Sequence, residues 1–110
     1  MPRQPPDLLQ GTLDLLILKT LALEPLHGWG LAKRIQSLSD EVLVVNQGSL
    51  YPALYRLEDE ALIAGEWHQS DEGRRIKVYR LTAAGRQRLT REARTWRLFA
   101  SAVDLILATE

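Results

Sequence analysis

The chain has 110 residues, 45% apolar and 25% charged, which is room for one compact domain and excludes a disordered composition. It contains no cysteine, so disulfides and thiolate metal sites are excluded and a reducing, cytoplasmic setting fits. Fourteen basic and fourteen acidic side chains cancel, so attraction to a polyanion must come from where the charges lie rather than from their sum.

Prolines at 2, 5 and 6 predict an extended N-terminal tail. A first helix is predicted from Gln10 to Glu24, stopped by Pro25. Its leucines and Ile17 surround it on nearly all sides, so it must be covered on nearly all sides. One face meets its own core; Leu13, Leu16 and Ile17 are assigned to an interface with a second subunit. Asp14 and Lys19 interrupt the apolar run from Leu8 to Leu23, so it reads neither as a membrane span nor as a signal peptide. His27 and Gly28 form a turn into a second helix, Gly30 to Ser39, with Leu31, Ile35 and Leu38 on one side. Val42 to Val45 is a brief strand or a buried loop.

A third helix begins between Gln47 and Tyr51 and ends near Ala61, with Pro52 taken to fix its opening turn. Leu50, Ala53, Leu54, Leu57 and Ala61 face the core, while Tyr51, Pro52, Tyr55 and Arg56 point away. Glu58, Asp59 and Glu60 crowd its far end, where they would repel phosphate. Two strands follow, Ile63 to Gln69 and Arg75 to Leu81, joined by a turn containing Gly73. From Gly73 to Arg91 there are seven basic residues and no acidic one, whereas residues 1–72 hold five basic and eleven acidic. Such a block is either an oriented field that steers a polyanion or a solvated basic face.

Thr82 caps a last helix running to about Ala108, about 39 Å long at 1.5 Å per residue. Its seam Leu89, Ala93, Trp96, Ala100, Val103 and Leu107 is spaced 4-3-4-3-4, as in helix-on-helix packing, and its second half needs a partner. The fold class is therefore α+β and mostly α. It is a winged helix-turn-helix with a two-stranded wing over residues 1–85, followed by a C-terminal dimerisation helix over residues 86–110.

In that plan the second helix of the pair enters the major groove by its N-terminal residues. Gln47, Ser49, Tyr51, Tyr55 and Arg56 are the candidates there, with Arg74, Arg75 and Lys77 of the hairpin as phosphate contacts. Each has a plainer alternative: Tyr51 and Tyr55 can pack on each other, and the arginines can serve solubility. Enzymatic readings fail. His27 and His68 have no metal-ligand spacing, Ser49 lacks the second glycine of a nucleophile elbow, and Gly28-Trp29-Gly30 is too short to cradle phosphate. No cofactor is expected.

The run Gly48-Ser49-Leu50-Tyr51-Pro52-Ala53-Leu54-Tyr55-Arg56-Leu57-Glu58 resembles the recognition-helix signature of the PadR family of transcriptional regulators. Pro25-Leu26-His27-Gly28-Trp29 resembles that family's turn before its second helix, and Tyr79-Arg80-Leu81-Thr82-x-x-Gly85 its second wing strand and last-helix cap. The resemblance covers most of residues 10–108. It implies a homodimeric repressor that binds double-stranded operator DNA and, in some members, releases it on binding a planar aromatic effector at the interface. One departure is plain: Ala61 stands where the family commonly ends the recognition helix with glycine. Either alanine adopts a left-handed conformation there at about 1 kcal/mol, or the helix ends later. Trp96 and Phe99 are the candidate effector residues, against the simpler alternative that they fill the dimer core. A winged helix docking another protein through its apolar first and last helices is the second functional reading; the basic block favours DNA.

Overall fold

The computed structural model describes residues 10–110; the segment expected to be an extended tail lies outside the described residues. The order is α1 (Gln10–Leu23), β1 (Leu26–His27), α2 (Gly28–Leu38), α3 (Gln47–Asp59), β2 (Ile63–Gln69), β3 (Arg75–Leu81) and α4 (Ala83–Leu107). Both wing strands have the predicted bounds. Alternation explains why: β3 buries Tyr79 and Leu81 and exposes Arg80 between them. β2 and β3 pair antiparallel from Ile63 opposite Leu81 to Gln69 opposite Arg75. A third strand was not anticipated. β1 adds to the other edge of β3, Leu26 opposite Tyr79 and His27 opposite Val78, giving the order β1-β3-β2.

The second helix starts earlier than expected, at Gly28, and the third starts at Gln47, the first residue of its expected range; side-chain caps explain both starts. His27 is the N-cap of α2, its Nδ1 accepting from the Gly30 N–H at 2.9 Å. Asn46 is the N-cap of α3, its Oδ1 accepting from the Ser49 N–H at 2.9 Å. Pro52 therefore sits inside the helix rather than at its start; its ring removes one N–H that would have bonded the Gly48 carbonyl. Val42 to Val45 is loop, with Leu43 and Val45 packed on the core and Val42 and Val44 outside.

At the end of α3 the chain takes the first of the two routes open to it. Ala61 has φ 61°. The Ala61 N–H bonds the Glu58 carbonyl at 2.9 Å and the Leu62 N–H bonds the Leu57 carbonyl at 3.0 Å. This is a Schellman cap with alanine in the left-handed position. Thr82 then ties α4 to that cap. Its N–H and hydroxyl lie 3.2 and 2.9 Å from the Leu62 carbonyl oxygen, and its Oγ1 accepts from the Gly85 N–H at 3.0 Å. Gly85 is buried against this junction, where a Cβ would overlap the Leu62 carbonyl oxygen.

One core fills the space between α1, α2, α3 and the sheet, centred on Ile17, Leu18, Leu31, Leu50, Leu54, Leu57 and Ile63. This corrects two interface assignments: Leu13 and Ile17 are sealed in the chain's own core at 3% and 0% exposure and cannot meet a partner. The stripe they occupy lies in the common core, whereas Leu15 and Leu16 remain half-exposed. Beyond its first turns α4 leaves the body, and Leu98, Phe99, Leu105, Ile106 and Leu107 are each 67–75% exposed. The radius of gyration, 15.6 Å, exceeds the roughly 13 Å of a compact chain of about this length.

Candidate nucleic-acid interface

The Asn46 cap leaves the first turn of α3 standing free of the body, with Asn46, Gln47, Gly48 and Ser49 all exposed. These polar groups sit at a helix N-terminus whose Ser49 N–H is already taken by Asn46, an arrangement that leaves the exposed side chains suited to base edges or a phosphate. One turn on, the Tyr51 ring lies over Gly28, where a Cβ would come within 3.0 Å of the tyrosine hydroxyl. Gly28 therefore lets α3 settle on the start of α2. Tyr51 and Tyr55 are neighbours, with ring centroids 6.4 Å apart; Tyr51 is half-buried and Tyr55 is 60% exposed.

Arg56 is not on this face. Its guanidinium pairs with the Asp14 carboxylate of α1, both partly buried, and so ties α3 to α1. Burial raises the Asp14 pKa above the usual carboxylate value, and the Arg56 charge and hydrogen bond pull it back down. The expected role of Arg56 in DNA contact is thus replaced by an internal one. The charge that sequence patterning placed outward finds its partner far away along the chain.

The wing approaches the same side of the molecule. Its tip is ordered by the Gly73 N–H donating to the Ser70 carbonyl at 2.9 Å and the Arg74 N–H to Ser70 Oγ at 3.1 Å, with Gly73 left-handed at φ 81°. Arg74 and Arg75 are exposed, and neither has a carboxylate partner among the described residues. Lys77 behaves differently. Its ammonium bonds Glu58 Oε1 at 2.8 Å, while Glu58 Oε2 accepts from the Gly65 N–H at 3.2 Å. One carboxylate at the end of α3 thus grips both wing strands, and its hydrogen bond raises the Lys77 pKa.

Between the helix pair and the wing lies a groove of about 490 Å³, whose lining includes Tyr51, Tyr55, Arg74, Arg75 and Lys77. It also brings in residues that sequence reading did not assign. Trp29 at the start of α2 is 58% exposed and Trp67 of β2 is 56% exposed. Each carries a cation: Lys33 Nζ lies 4.8 Å from the Trp29 ring centre, and Arg75 Cζ 4.8 Å from that of Trp67. No local pattern marks Trp29 and Trp67 as neighbours of one cleft, because only tertiary packing brings them there. The signal that was readable is Trp29 four residues before Lys33 on one helix face.

A second concavity, about 450 Å³, runs between α1 and α4 and is lined by Leu15, Leu16, Lys19, Leu89, Thr90, Ala93, Trp96 and Arg97. Phe99 lies outside that lining. Ala100 and Val103 are half-exposed and Leu107 is fully outward. Among the described residues no cluster of His, Cys, Asp or Glu could hold a metal ion, and no helix is long and apolar enough to cross a membrane.

Comparison with known proteins places these features in a family. The family described as Transcriptional regulator PadR-like family matches residues 17–91. The chain is 46% identical over 59 residues to Transcriptional regulator Rv3488 of Mycobacterium tuberculosis, which is 54% of each chain. Among solved structures, a PadR family transcriptional regulator from Eggerthella lenta is 34% identical, with a TM-score of 0.77 over 92% of this chain and 86% of that one. A PadR-like transcriptional regulator from Bacillus cereus is 29% identical, also at 0.77, over 92% and 96%. The matched residues run from the middle of α1 through both wing strands into α4, the elements that build the face described above. The chain belongs to the PadR-like family of transcriptional regulators and is a regulator, not an enzyme.

Proposed function

We propose that the chain binds double-stranded operator DNA in a sequence-dependent way, acts as a homodimer, and represses transcription. The observation that carries the DNA reading is co-location. Tyr51 and Tyr55 of α3 line a single groove with Arg74 and Arg75 of the wing, which have no carboxylate partner among the described residues, and the exposed first turn of α3 leads directly into Tyr51. The α3 turn is suited to base edges and the wing arginines to phosphate, which together supply discrimination and affinity. A mobility shift with the DNA upstream of its own gene tests this; absence of a shift at low salt sinks it. Within the complex, Gln47→Ala should reduce preference for operator over random duplex, at a cost of roughly 1–3 kcal/mol if a good base contact is lost.

The dimer reading rests on α4. Trp96, Leu98, Phe99, Leu105, Ile106 and Leu107 are all exposed in the single chain, a patch too large for an isolated soluble protein to leave uncovered. Leu16 and Leu89 extend that surface toward α1. Release by a planar aromatic effector is a second reading, favoured by the groove that Trp96 and Leu89 border. In a dimer, a two-fold axis near Trp96 would bring the two rings together.

A further inference from the structure

The groove between the helix pair and the wing has a chemistry that a DNA duplex leaves unused. A duplex presents phosphates and base edges; its flat base faces are stacked inside. Yet the rings of Trp29, Trp67, Tyr51 and Tyr55 all border this one cleft, and three of them are more than half exposed. Exposed aromatic surface gathered in a concavity of about 490 Å³ has the size and apolar character that small-molecule sites of roughly 300–1,000 Å³ share. The charge is one-sided as well. Arg74, Arg75 and Lys77 line the cleft and no carboxylate does. Arg75 is held over the Trp67 ring at 4.8 Å, so an anion beside that ring meets a cation already in place.

We infer that this groove binds a small planar aromatic anion, a ring system bearing a carboxylate or sulfonate. Its ring packs on Trp29 and Trp67 and its anionic group lies on Arg74 and Arg75. The flat ring gains the apolar and stacking contacts that the exposed indoles offer. The anionic group gains charge-assisted hydrogen bonds from guanidinium groups that have no carboxylate partner among the described residues. The site is separate from the α1–α4 concavity that Trp96 borders. Because it occupies the face proposed for DNA, its ligand excludes DNA directly instead of acting through the dimer. That last consequence rests on the DNA-binding reading; the binding itself does not.

The three tryptophans make the test specific, since two lie on this groove and one on the other. Nitrogen-15-labelled protein is titrated with 2-naphthoate while the three indole N–H signals are followed, assigned by single Trp→Phe variants. The expected result is saturable movement of the Trp29 and Trp67 signals with Trp96 still. Binding should be roughly tenfold weaker in Arg75→Gln and for the neutral 2-naphthalenemethanol, which lacks the charge. An otherwise unchanged spectrum of Arg75→Gln shows that the variant folds. No movement up to millimolar naphthoate, movement of Trp96 alone, or equal binding of the neutral alcohol overturns the proposal. Adding the upstream duplex separates the two readings. Displacement of naphthoate supports both. Naphthoate binding that the duplex leaves untouched keeps the groove and defeats the DNA face. Duplex binding with no response to naphthoate does the reverse.

Discussion

Ala61 and Gly85 both border the junction of α3, β2 and α4 at Leu62, and they have opposite fits to it. Ala61 holds φ 61° with a Cβ that this conformation disfavours. Ala61→Gly should stabilise the fold by about 1 kcal/mol and raise the thermal midpoint by about 4 °C, read by calorimetry. Gly85 has no room at all, because a Cβ would strike the Leu62 carbonyl and the Leu81 side chain. Gly85→Ala should cost about 3 kcal/mol, since one of the colliding partners is backbone and cannot rotate aside. A urea midpoint unchanged in that variant would contradict the packing described. The sequence pointed to the Ala61 position through the glycine expected there. The reason for Gly85 was not legible, because Leu62 lies far from it along the chain.

At the scale of elements, the wing and α3 form one unit through Glu58. Among the described residues Arg74 and Arg75 have no carboxylate partner while Lys77 bonds Glu58, so the three wing cations expected to act alike should separate. Arg75→Ala should lower the salt slope of DNA binding by about one unit. Lys77→Met should leave the slope nearly unchanged and speed amide exchange at Gly65, whose N–H shares the Glu58 carboxylate. Equal slope changes in both variants would return Lys77 to the phosphate contacts. The strands were readable to the residue because alternation and a turn glycine bound them. β1 has two residues, too few to show a period. The start of α3 falls at the first residue of its expected range, but the Asn46 cap sets it, and Pro52 lies inside the helix instead of in its opening turn. Arg56 was read as outward from helix spacing alone, which carries no information about Asp14 on another helix.

For the whole molecule, the outstanding question is what covers α4. Sedimentation at micromolar concentration should give two chains, and Val103→Asp should leave monomer or aggregate, because it sets a charge in an apolar contact. A well-folded monomer of the parent protein would end the dimer reading. Of the interface residues taken from sequence, Trp96, Phe99 and Leu107 of α4 are exposed and Ala100 and Val103 partly so, Leu89 packs against the chain's own core, and Leu13 and Ile17 of α1 are buried. Periodicity finds an apolar face but cannot say whether the chain or its partner covers it. The junction at Leu62 bears on the same question. α4 has 25 residues, about 37 Å of rigid rod, and its direction relative to α3 is set where Thr82 meets the Leu62 carbonyl. In a dimer joined through α4, that carbonyl is the fulcrum of a lever whose far end is the subunit contact. A rotation of about 5° there moves the end of the rod by about 3 Å, close to the 3.4 Å between successive base pairs. In such a dimer, the spacing of operator half-sites within reach would be governed by the few backbone atoms at the Leu62–Thr82 contact.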